Sequence, residues 1–294
     1  MNKTVVGKQE LTGYGSMRIQ NAISTFAAMA FFSALCALVV LPVLTFFLAT
    51  FRPGRDLIRY GLNVKLDLDN MSFDNYRYLF SGNHRYFMWF KNSIVLSTVT
   101  VISTLMVCYF VAYGLAMYQF KLRNFFFLLV LIRLMVPFEI LMLPLYVEII
   151  SLKLINTMAG VILPGICASS TIFFFRQYMI GLPHDLIDAG RIDGANEYRV
   201  CFTVIMPLTK PAFAAMGILS AMHSWNNVLW PMLVYRDASK FTLPIGLNTL
   251  ITPYGNNYDL LITGACFSIM PIFILFLFFQ KYFIGGMTIG SLKG

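Results

Sequence analysis

Leu182-Pro-His-Asp-Leu-Ile-Asp-Ala-Gly-Arg-Ile-Asp-Gly-Ala-Asn-Glu-Tyr-Arg-Val-Cys-Phe-Thr-Val-Ile-Met-Pro-Leu-Thr-Lys-Pro211 is a polar island between long apolar runs. In a chain that is 58% hydrophobic and 12% charged, it is too long for a turn and too patterned for a spacer. Pro183 suits the first position of a helix, where its missing N–H costs nothing, and Asp185 complements the positive end of that helix. Gly194 is the expected stop. Asn196 is expected to cap a second helix, with Glu197 in its first turn, running to Pro207. The stretch thus predicts a helix–Gly–helix elbow between membrane spans. The small residues Ala189, Gly190, Gly194 and Ala195 stand where another surface can come close.

Working outward, the rest of the 294 residues explains why the elbow stands out. Mean hydropathy is +0.71, and the apolar runs are uninterrupted and of spanning length, which indicates an integral membrane protein of helices. A β-barrel would show short alternating segments instead. The net charge of +9 fits the basic bias of membrane-protein loops. No basic cluster with interleaved aromatics points to nucleic acid. Cys36, Cys108, Cys167, Cys201 and Cys266 form no C-x-x-C pair and read as small packing residues. His84, His184 and His223 are dispersed, without metal-ligand spacing. No phosphate-cradling loop, H-E-x-x-H or Ser nucleophile elbow occurs, so the sequence carries no catalytic constellation, no cofactor site and no energy source of its own.

The expected architecture is an all-α polytopic membrane protein with six transmembrane helices. The spans fall at about 22–51, 92–118, 125–150, 157–175, 212–235 and 260–283. A polar tail (1–20) precedes them. An external segment (52–91) follows the first, the elbow loop (176–211) lies between the fourth and fifth, and a polar connection (236–258) precedes the sixth. Pro42 is expected to kink the first span. Six spans put both termini on one side. The charge rule barely chooses that side, with eleven Lys and Arg on the elbow side against ten on the other.

Polar residues within spans are candidate path residues. Arg133 and Glu139 lie in the third span, where Arg133 could also snorkel to the interface. His223, Trp225, Asn226, Asn227 and Trp230 decorate the fifth. Indoles could cover apolar sugar faces and amides bond hydroxyls, or the same residues could form an interfacial belt with helix–helix hydrogen bonds. Arg133 with the basic 52–91 segment would suit an acidic sugar by electrostatic attraction.

The elbow resembles the cytoplasmic loop of binding-protein-dependent ABC importer permeases. That pattern is Glu-Ala-Ala, three residues, Gly, nine residues, then Ile-x-Leu-Pro; here it stands as Asp188-Ala189-Gly190, Gly194 and Val204-Ile205-Met206-Pro207. Ser224-Trp225-Asn226-Asn227-Val228-Leu229-Trp230-Pro231, Thr242-Leu243-Pro244 and the ending Gly286-Met-Thr-Ile-Gly-Ser-Leu-Lys-Gly294 resemble the carbohydrate, maltose-permease branch. The resemblance implies a type I ABC importer permease fold in a bacterial inner membrane, with both termini cytoplasmic. It implies a second, homologous permease forming a heterodimer around the path, an extracytoplasmic binding protein that delivers the carbohydrate, and a cytoplasmic ATPase dimer that binds ATP and Mg. The elbow would be the coupling helix docked on that ATPase, through Asp188, Ala189, Gly190, Arg191, Asp193, Gly194, Glu197 and Pro207. The tail Ser291–Gly294 would insert between ATPase subunits. The competing reading is a secondary transporter or channel acting without an ATPase, which should show repeat symmetry; none is evident. A membrane enzyme is the weakest alternative.

Overall fold

The computed structural model describes residues 6–61, 71–82, 85–183, 185–192, 194–251 and 257–288. His184, Asp193 and the tail Ser291–Gly294 lie outside them. All regular structure among the described residues is helical. The chain forms two compact units, residues 1–77 and 78–294.

The first unit holds α1 (Val6–Ala49), α2 (Gly54–Tyr60) and the start of α3 (Asp74–Phe80). Helix α1 begins inside the stretch read as a polar tail; its apolar, membrane-length part is Ser24–Ala49. Phe26, Phe32 and Leu38 are exposed, as expected of a helix whose solvent is lipid. The helix runs through Pro42 as one element, with the Thr45 hydroxyl donating to the Pro42 carbonyl at 2.9 Å. Its end is stitched to α3. Asn75 Nδ2 donates to the carbonyls of Thr50 (2.9 Å) and Arg52 (2.7 Å), and Phe47, Phe51, Phe73 and Tyr76 form an aromatic cluster.

The second unit is built on α4 (Tyr86–Met117), whose 32 residues run roughly 48 Å. It starts six residues before the predicted span, so Tyr86 and Trp89 are buried core rather than an external segment. The third predicted span is two helices, α5 (Arg123–Met135) and α6 (Phe138–Ser151), at 105° to each other. Pro137 causes the break: it has no N–H to continue α5, and it forces the preceding Val136 into extended backbone (φ −88°, ψ 115°).

The fourth predicted span is α7 (Met158–Ile162), a 3₁₀ turn (Leu163–Gly165) containing Pro164, and α8 (Ser169–Ile180), with a 49° bend. After α9 (Asp185–Ile192), one helical stretch comprises α10 (Glu197–Arg199), a π segment (Val200–Ile205) and α11 (Met206–Leu208). It turns through 73° at buried Thr209 into α12 (Lys210–Asn226).

The fifth predicted span therefore ends at Asn226, and α13 (Leu229–Val234) is a separate turn and a half. The 236–258 connection is not simply polar, because α14 (Leu243–Asn248) buries Leu243, Ile245 and Leu247. Helices α15 (Tyr258–Phe267) and α16 (Met270–Thr288), with Pro271 in the first turn of the latter, complete the unit. Among the described residues, three helical stretches are long and apolar enough to cross a membrane alone, and three bent pairs bring the total to six when each counts as one span.

Candidate functional site at the elbow

The elbow is held by its own backbone chemistry. Helix α9 begins at Asp185, so Pro183 precedes it rather than opening it. At its other end Gly194 N–H donates to the Arg191 carbonyl and Ala195 N–H to the Gly190 carbonyl, both at 3.0 Å, which is a Schellman stop. Gly194 has φ +77°. A β-carbon there would meet nothing within 4 Å, so within this chain the glycine is required for its left-handed backbone, not for close approach. At Gly190 a β-carbon would lie 3.4 Å from Val200 Cγ2 and 3.7 Å from Val204 Cγ2, which is ordinary contact. An alanine fits there. Asn196 caps the second arm as expected, its Oδ1 accepting from Arg199 N–H at 2.8 Å. That arm runs to Leu208, and its middle is a π-helix, which the sequence did not announce.

The elbow's inner face is apolar. Ile187, Val200, Cys201 and Ile205 pack in one core with Tyr109, Tyr113 and Phe175 from α4 and α8. Arg123 Nε (2.9 Å) and Arg176 Nε (3.3 Å) both donate to the Leu115 carbonyl, placing two cations at the negative end of α4. The Arg176 guanidinium also sits 3.7 Å above the Phe127 ring.

The polar residues form one chain across the elbow. Arg191 Nη1 lies 3.4 Å from Asp188 Oδ1, Arg191 Nε donates to Glu197 Oε1 at 2.8 Å, and Tyr118 Oη donates to Glu197 Oε2 at 2.9 Å. The Arg191 guanidinium and the Tyr118 hydroxyl hold the Glu197 carboxyl below the usual carboxylate range. The outer face presents two large apolar side chains that sequence reasoning did not single out. Ile192 is 86% exposed and Tyr198 78%. A periodic apolar residue on a short helix reads as core; only the burial of Ile187 on the opposite face reveals that Ile192 points away. Pro207 is exposed, in the first turn of α11 at the end of the second arm.

The proposed path residues do not converge. Arg133 Nη1 donates to the Val136 carbonyl at 3.3 Å, capping the broken end of α5, and exposed Glu139 sits in the first turn of α6. Trp230 is 2% exposed, its indole N–H donating to the Gly160 carbonyl at 3.2 Å and its ring edge-on to Phe138. Trp225 is buried, donating to the Ser268 carbonyl at 3.2 Å. His223 and Asn226 are exposed and Asn227 half-buried. Of these seven, Trp225 alone lines the groove of about 1190 Å³ between α4, α12 and α16. That groove is apolar and floored by Ala214, Gly217 and Ala221, with Lys210 at its elbow end.

Residues 107–289, more than half the chain, match the family of binding-protein-dependent transport system inner membrane components. The Arabinooligosaccharides transport system permease protein AraQ of Bacillus subtilis (strain 168) is 50% identical over 275 residues, 94% of this chain and 98% of that protein. The lactose transport system permease protein LacG of Rhizobium radiobacter is 33% identical, over 69% of this chain and 74% of its own length. In fold, the chain is similar to a solved chain of a bacterial ABC transporter involved in the import of the acidic polysaccharide alginate. That match has a TM-score of 0.77 and 21% identity, covering 91% of this chain and 98% of that one. The elbow's motif, the helical fold and these likenesses agree: the chain belongs to the binding-protein-dependent transport system inner membrane components, the non-enzymatic, multi-pass permease subunits of ABC importers.

Proposed function

We propose that this permease serves the import of short oligosaccharides of the arabinan type. The observation that carries this is the 50% identity to the arabinooligosaccharide permease across nearly the full length of both chains. ATP is hydrolysed by partner subunits, and the elbow is where that energy enters. Ile192 and Tyr198 are the apolar anchors that seat it on the ATPase, since large exposed side chains flanked by a polar rim are the anatomy of a docking knob. The paired Asp188, Arg191 and Glu197 hold the knob's shape. The elbow side, with both termini, is then cytoplasmic.

The groove between α4, α12 and α16 suits the second permease rather than the sugar. Its small floor residues permit close helix approach, and its length along α12 from Lys210 to Trp225 is roughly 24 Å, close to a span. A sugar path through it would need more hydroxyl partners than this lining offers. Arg133 Nη1 donates to the Val136 carbonyl at the α5 break, and the substrate named here rests on the arabinooligosaccharide relative rather than on that contact.

The test is accumulation of radiolabelled arabinotriose by a strain lacking this chain and by the same strain with it restored. Uptake should require the chain and resist competition by digalacturonate. Uptake in the deletion strain, or strong digalacturonate competition with salt dependence, would overturn the substrate reading.

A further inference from the structure

Two hydroxyls from one transmembrane helix hold the elbow's second arm. Tyr118, at the C-terminal cap of α4, donates to Glu197 Oε2 at 2.9 Å, while Arg191 donates to Oε1 at 2.8 Å through Nε and to Oε2 at 3.3 Å through Nη2. A single carboxylate thus gathers α9, the second arm and α4. Nine residues earlier, roughly 13 Å along the helix, fully buried Tyr109 donates to the Cys201 carbonyl at 3.1 Å.

That carbonyl belongs to the π segment, where it also accepts the Met206 N–H. In a regular α-helix it would be satisfied one residue sooner. The Tyr109 ring stacks on Tyr113 (centroids 6.2 Å apart), and Tyr113 meets Tyr118 edge-on at 5.7 Å. Three aromatic rings therefore run up α4 between its two bonds to the elbow. Apolar packing alone would let the arm slide along α4; two directional bonds at separate heights do not.

We propose that Tyr118 and Tyr109 are positioning residues of energy coupling, pinning the elbow's second arm to α4 at two points so that displacement of the elbow is delivered to that helix. This rests on the reading of the elbow as the ATPase docking element.

Both are tested in the assembled transporter, purified with its ATPase and reconstituted in proteoliposomes, by counting arabinotriose molecules moved per ATP hydrolysed. Tyr118→Phe should retain the ATPase on purification yet move roughly three- to tenfold less sugar per ATP, the range of a typical net hydrogen bond. Tyr109→Phe should act in the same direction. The double variant Tyr118→Phe with Glu197→Ala should lose no more than Glu197→Ala alone, because without the carboxylate the Tyr118 hydroxyl has no bond to lose. A sugar-independent readout is the distance distribution between spin labels at Phe120→Cys and Arg199→Cys, with Cys36 and Cys167 replaced by serine. It should broaden in Tyr118→Phe. A wild-type transport ratio together with an unchanged distribution would overturn the proposal. If the unaltered chain itself retains no ATPase, the docking reading fails instead.

Discussion

The two ends of α4 are built on opposite plans. At its first end, side chains of α4 bond to main-chain groups. Tyr86 Oη donates to the Gly264 carbonyl, Trp89 Nε1 to Ala238, Asn92 Nδ2 to Ser239 and Phe241, and Ser93 Oγ accepts the Leu243 N–H. Glycines permit that closeness. A β-carbon on Gly246 would overlap the Trp89 ring, and one on Gly264 would lie 2.7 Å from the Tyr86 ring. At the other end Tyr109 still bonds to a buried carbonyl, that of Cys201, but beyond it Tyr118 and Glu197 meet side chain to side chain, the Arg191–Glu197 pair is half exposed, and Ile192 stands clear of the protein. Bonds to buried backbone leave a segment one position. Bonds between exposed side chains orient a segment while leaving its outer surface available. The first end is a lock and the second a handle.

By that contrast, the largest effect comes from breaking the lock. Gly246→Ala should cost about 1–3 kcal/mol or prevent folding outright, because backbone and a large ring must separate; the yield and melting temperature of the purified protein measure this. Next come changes at the handle, which should spare insertion. Ile192→Glu should reduce ATPase co-purification roughly tenfold or more, as loss of a docking anchor does. Gly194→Glu places a side chain at φ +77°, costing about 1–2 kcal/mol locally, and should uncouple hydrolysis from uptake. Normal uptake by both variants would mean that the outer face contacts nothing.

A smaller effect separates structure from sugar binding. Trp230→Phe removes the bond to the Gly160 carbonyl and should lower stability by about 1–2 kcal/mol without changing the KM for uptake. A raised KM with unchanged stability would return Trp230 to the path. The smallest change should be favourable. Gly190→Ala is expected to stabilise α9 by up to about 1 kcal/mol with uptake intact, since the added methyl meets Val200 and Val204 at ordinary distances.

What the sequence made legible was whatever is local. Pro137, Gly194 and Asn196 act on their immediate neighbours, and the helix stop at Gly194 and the cap at Asn196 sit where the residues place them. The break at Pro137 was foreseeable on the same grounds, yet the spanning length of the mostly apolar run from 125 to 150 hid it. Hydropathy records only that a segment avoids water, not its direction. Trp225 and Trp230 were ambiguous for a different reason. An indole N–H inside a membrane protein needs a partner, and whether that partner is a sugar or a carbonyl some seventy residues away, as for Trp230, is a property of the fold alone. The meeting of Trp89 with Gly246 and of Tyr118 with Glu197 were invisible for the same reason. Ile192 and Tyr198 were missed because exposure cannot be read from residue type.

The π segment Val200–Ile205 carries a geometric consequence of its own. Its wide turn behaves as one extra residue let into an α-helix between the capped start of the arm and the bend at Thr209. Each residue of an α-helix advances the azimuth by about 100°. Deleting one residue would absorb the bulge and keep the azimuth, but rewinding the segment as regular α-helix with every residue kept would swing the whole elbow around the arm's axis by that order. Glu197 would then face away from Tyr118, and Ile192 and Tyr198 would aim elsewhere, although every motif residue kept its identity. On the proposed docking, the azimuth at which the elbow meets an ATPase is thus encoded in a helix count, by a single residue wound slightly too loosely.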